Sequence, residues 1–126
     1  MLIKAEILGS EHKIWIPCDA VSDEVDAKVS EIISRTGRMT ETPVTGIWVD
    51  AEGDTVQEDV HLLSFISSST TAGNSDESIS SMVVDLARIL LEEGQEAVLV
   101  SDGGKCVLFS GEIEEVHKEI NFTWRK

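Results

Sequence analysis

Apolar residues in this 126-residue chain recur with two different periods, and the periods alternate along its length. Ile79, Met82, Val83, Leu86, Ile89 and Leu90 return every three or four positions, which is one face of a helix. Val25, Val29, Ile32 and Ile33 do the same earlier in the chain. Around these two segments the spacing shortens to strict alternation or to brief apolar runs, as strands require. A helix with one apolar stripe must bury it against another element. The partners available are strands, so the chain is predicted to be α+β.

Local signals punctuate that pattern. Leu2–Leu8 alternates as a strand should, Gly9-Ser10-Glu11-His12 reads as a turn, and Lys13–Ile16 reads as a second strand closed by Pro17. Ser22 is suited to cap a helix over 22–36, with Asp23, Glu24 and Asp26 in the first turn and Gly37 just past the last. Pro43 opens an extended stretch through Trp48 and Val49, and Ala51-Glu52-Gly53-Asp54 turns it into a long strand from Thr55 to about Ser67. Ser67–Ser75 has almost nothing to bury and reads as a mobile loop. Ser75 caps the second helix, which ends by Gly94. Ala97–Val100 and Cys106–Phe109 flank Ser101–Lys105 as a hairpin. Residues 112–126 form a tail with features of both helix and strand, and its Phe122 and Trp124 need cover.

The predicted order is ββ-α-ββ-α-ββ. Without the first strand and the last hairpin partner it is β-α-β-β-α-β, the ferredoxin-like split βαβ. The expected architecture is an antiparallel sheet with both helices on one face and extra N- and C-terminal strands. Residues 1–126 are expected to form a single domain, of which 112–126 is the tail.

Composition narrows the partners. Twenty-four acidic residues against 10 Lys and Arg leave a formal net charge of −14. A nucleic-acid binder needs a basic stripe, so no nucleic-acid partner is expected. No apolar run approaches the length of a bilayer span, so no membrane partner is expected either. Met1–Leu8 is too short and too charged for a signal-peptide core, and a cytoplasmic location is the expectation. Cys18 and Cys106 stand far apart without a C-x-x-C, as free thiols do in a reducing compartment.

No residue set assigns catalysis. There is no G-x-S-x-G, and Gly103-Gly104-Lys105 joins two strands, where a phosphate loop would join a strand to a helix. Asp19 opposes thiolate formation at Cys18, and Cys106 reads as a small core residue within an apolar strand. His12, His61 and His117 share no ligand spacing and read as surface or half-buried residues. Asp50, Glu52 and Asp54 alternate like the start of a calcium loop. Thr55 stands where that loop needs Gly, and His61 where it closes with Glu, so the segment reads first as a charged hairpin tip. Trp48, Asp50, Glu52, Asp54 and His61 are the expected binding residues. No catalytic residue, metal ligand or cofactor is assigned.

The segment from Trp48 to Leu63, with Gly53, Glu58 and the apolar run that follows, resembles the Trp-containing hairpin of the CutA-type proteins, relatives of the PII signalling proteins. The resemblance implies a ferredoxin-like fold and trimer-like assembly. That family's cysteine before the hairpin and its His-Pro-Tyr-Glu segment have no counterpart here, where Arg38–Pro43 and Gly94–Ala97 stand instead. The expected role is therefore a non-catalytic binding or regulatory domain that self-associates, with a small molecule or a protein as a further partner. One alternative is an acidic decoy inhibitor of a nucleic-acid-binding protein; another is a small enzyme with a site between subunits.

Overall fold

Ser22 and Gly37 bracket the first helix as their chemistry requires. The Ser22 hydroxyl accepts from the Val25 amide at 3.1 Å, and Gly37, at φ 81°, donates its amide to the Ile33 carbonyl at 2.7 Å. These details come from a computed structural model that describes residues 1–68 and 75–110. The elements are β1 (Glu11–Pro17), α1 (Asp23–Thr36), β2 (Thr40–Val49), β3 (Thr55–Ile66), α2 (Asp76–Glu92), β4 (Ala97–Asp102) and β5 (Lys105–Ser110). Among the described residues, no helix is long and apolar enough to cross a membrane.

The strands form one antiparallel sheet in the order β2-β3-β1-β4-β5. Both helices cover one face, which makes the fold ferredoxin-like with β5 added at one edge. Register explains the division of residues. Ile14 pairs with Leu63 and with Val100, and all three point into the helix layer, where Ile32, Leu86 and Leu90 are fully buried. One residue on, Trp15 pairs with Leu62 on the opposite face. That face also carries Leu99 and its partner Leu108, the latter 61% exposed. It is thus apolar and uncovered by any described element.

The structure corrects three local expectations. Residues 1–10 form no strand, and the first strand begins at Glu11. Leu2, Ile3 and Ile7 are exposed, so the alternation is present but no described strand pairs with it. His12 does not lie in a turn at the surface: it is the second residue of β1 and is fully buried. Cys106 is not in the core. It is exposed on β5, because Val107 and Phe109 take the inward positions of a period-2 strand. The predicted loop from Ser67 to Ser75 falls mainly on residues 69–74, and the tail lies in 111–126; both lie outside the described residues.

Candidate functional site

Two groups of polar residues occupy opposite ends of the helix-covered side. At one end the start of β1, the end of β3, the N-terminus of α2 and the end of β4 converge. The buried ring of His12 sets Nδ1 against a carboxylate oxygen of Asp102 and Nε2 3.1 Å from the Ser67 hydroxyl. Ser80 donates to the same Asp102 oxygen at 2.8 Å. Ser67 is hydrogen-bonded to Asp76, whose two oxygens also accept from the Ser10 amide at 2.9 Å and the Ser10 hydroxyl at 3.1 Å. These bonds hold the Asp76 carboxyl below its usual range, the Ser67 bond having the largest effect. Gly9 passes so close that a side chain there would press on Ser67 and Asp76.

Ser67, His12 and Asp102 thus have the connectivity of a serine triad. Their surroundings give a different role. Ser67 is 1% exposed, and its hydroxyl is engaged by His12, Asp76 and the Ser10 backbone, so no carbonyl can reach it. The cluster ties the entry to β1 to the start of α2.

At the other end, α1 packs over β3 but leaves the helix-facing side of β2 open. A cavity of about 270 Å³ results. Ile16, Pro17, Val25, Val29, Met39 and Leu63 form its apolar wall, and Asp26, Glu41 and His61 supply the polar groups. His61 Nδ1 is buried and lies 3.0 Å from a Glu41 oxygen, a contact that binds as an ion pair when the ring is protonated but is out of line for a hydrogen bond. The corner beside it is acidic. Burial first, then Asp59, Asp19, Glu41 and Glu58, push the Cys18 thiol up, which leaves it a poor nucleophile. Burial, then Asp19, raises the Glu58 carboxyl.

The expected binding residues are divided between two places. His61 lines the cavity. Trp48, Asp50, Glu52 and Asp54 lie at the far end of the β2–β3 hairpin; Trp48 pairs with Val56, about 17 Å from His61 at 3.3 Å per residue. One Asp50 oxygen accepts from the amides of Glu52 at 3.0 Å and Asp54 at 2.9 Å, closing the turn. Trp48 is 41% exposed. Sequence reasoning missed Glu41 and Asp26. A signal for Glu41 existed: folding the chain at 51–54 places Pro43 opposite His61 and Leu63 opposite Glu41, so Glu41 and His61 are diagonal neighbours on one face.

The architecture defines the class, a ferredoxin-like α+β domain. No family model matches the sequence, and no curated protein matches it. Solved structures do. A phage SAM lyase in complex with S-methyl-5'-thioadenosine aligns over 87% of this chain and 98% of its own, at 21% identity and a TM-score of 0.60. A phage SAM lyase in its apo state aligns over 89% of this chain and 98% of its own, at 20% identity and a TM-score of 0.61. A GlnK–ATP complex from B. subtilis aligns over 82% of this chain and 85% of its own, at 13% identity and a TM-score of 0.43, too distant to bear on the argument. What stands of the resemblance carried by the Trp48 hairpin is the fold it implied; no family model ties the chain to the CutA type. The lyase matches also overturn the expected non-catalytic binding or regulatory role. The solved chains that share this fold over almost their whole length are an enzyme.

Proposed function

We propose that this chain is a small enzyme that cleaves a sulfonium nucleoside of the S-adenosylmethionine type, working as a homo-oligomer with its site between subunits. The observation that carries the reading is the alignment with 98% of a phage SAM lyase that holds S-methyl-5'-thioadenosine. That thioether is S-adenosylmethionine without its four-carbon amino-acid arm, so the pair of molecules describes scission of one carbon–sulfur bond. The carbon–sulfur pair goes to sulfur, which leaves as a neutral thioether and needs no proton, while the arm's own carboxylate forms the new bond to the released carbon and closes a lactone. The protein's task is then to bind and orient the substrate, and an activated thiol such as Cys18 would have been is not required. A net charge of −14 draws a cationic substrate inward.

Self-association is supported by the uncovered face that carries Trp15, Leu62, Leu99 and Leu108, since an apolar sheet face of this kind marks an interface. In the assembly the projecting end of the hairpin would bring Trp48, Asp50, Glu52 and Asp54 to a neighbour's site, with His61 in the cavity of its own subunit. Two free thiols suit the cytoplasm, which this reading adopts as the location.

The test is direct. The purified protein is incubated with S-adenosylmethionine, and S-methyl-5'-thioadenosine is measured by liquid chromatography and mass spectrometry. Release above a heat-denatured control is expected. No release from folded, self-associated protein would end the reading.

A further inference from the structure

Glu41 and Asp26 both line one small apolar cavity, Glu41 from β2 and Asp26 from the first turn of α1. Among the described residues, neither lysine nor arginine lines it. His61, the one described lining group able to carry a positive charge, can offset only one of the two carboxylates. Asp19, Glu58 and Asp59 stand at the same corner, as their shared effect on Cys18 shows. The field in the cavity therefore favours a cation. Its wall does not favour a hydrated metal ion: Ile16, Val25 and Leu63 are buried aliphatic residues that offer no oxygen. Val21, at the edge, is 69% exposed, so apolar surface continues out of the cavity. An apolar surface beside two carboxylates fits an organic cation whose charge is wrapped in methyl and methylene groups.

We propose that this cavity is a sulfonium site, in which Glu41 and Asp26 receive the positive sulfur, the aliphatic wall packs on its substituents, and a neutral thioether is bound less tightly. The inference rests on the lyase reading and adds to it the residues that tell substrate from product. A sulfonium substrate is held by charge. The thioether left after scission has none, and the same site releases it.

The experiment compares two uncleavable nucleosides by isothermal titration calorimetry. Sinefungin carries a protonated amine where S-adenosylmethionine has its sulfonium; S-adenosylhomocysteine is the neutral thioether. The wild type is expected to bind sinefungin about tenfold more tightly or better, the size of one partly screened charge contact. The double variant Glu41→Gln, Asp26→Asn should bring that ratio close to one and leave S-adenosylhomocysteine affinity unchanged. Both residues are exposed, so the variant should fold, and circular dichroism checks that it does. The proposal is overturned if the variant keeps the ratio, if the wild type binds both compounds equally, or if it binds neither. Failure of the lyase reading is separately visible. Discrimination without release of S-methyl-5'-thioadenosine removes the activity and keeps the site, whereas release with an unaltered ratio in the variant removes the site and keeps the activity.

Discussion

Asp102 meets the buried ring of His12 at the end of the sheet, and Ser80 donates to the same carboxylate oxygen at 2.8 Å. Residues from four segments share this network, so removing the ring strands several polar atoms at once. His12→Ala should cost about 2–3 kcal/mol, from the lost partners of Asp102 and Ser67 and the void left behind. Urea titration measures it, and a loss below about 0.5 kcal/mol would show the network to be ornamental.

The same network makes stability depend on acid. Hydrogen bonds from Ser67 and then from the Ser10 amide hold the Asp76 carboxyl below its ordinary value. The folded chain therefore binds this proton more weakly than the unfolded chain. The contribution is complete above the ordinary carboxylate pKa and is lost as pH falls through the lower, folded one. Thermal melts from neutral pH down to about pH 3 should show a steeper decline for the wild type than for Asp76→Asn. Equal slopes would remove Asp76 from the acid response.

Leu86 has no exposed surface and sits in the core layer between α2 and the sheet. Leu86→Ala should cost about 2–5 kcal/mol, because a packed site on a helix between neighbours collapses only partly. Denaturant titration reads this directly; a change within about 0.5 kcal/mol would show that the stripe is not packed as described.

Leu108 lies on the uncovered face, 61% exposed. Leu108→Asp should leave the monomer folded and weaken self-association, since a carboxylate would be buried in any interface across that face. Sedimentation equilibrium decides the matter. A 13.8 kDa species alone in the wild type rules out the oligomer, and an oligomer indifferent to the substitution rules out this face.

What was legible in the sequence follows the range of the forces involved. Ser22, Gly37 and Ser75 cap their helices within three or four residues, and each was readable because its partners are adjacent. The turns at Gly53 and Gly103-Gly104 were readable for the same reason. Leu2–Leu8 shows the limit: alternation specifies a strand only if a neighbouring strand accepts it. His12 shows it more sharply. Its partners Ser67, Ser80 and Asp102 lie 55 or more positions away, and nothing within a few residues of His12 distinguishes a buried ring from an exposed one. The cavity was half readable. His61 was singled out, but Glu41 required the hairpin register and Asp26 required the packing of α1 over the sheet.

The position of β1 in the sheet has a kinetic consequence. Both of its neighbours, β3 and β4, are distant in sequence, whereas the β2–β3 and β4–β5 pairs are hairpins that close over short turns. The two hairpins can form early, each on its own, but the central strand joins them only after two long loops have closed. β1 precedes both hairpins in the chain yet is the last of these strands to be paired on both sides, and a chain cut or stalled before β4 exposes one edge of β1 to whatever else is in solution.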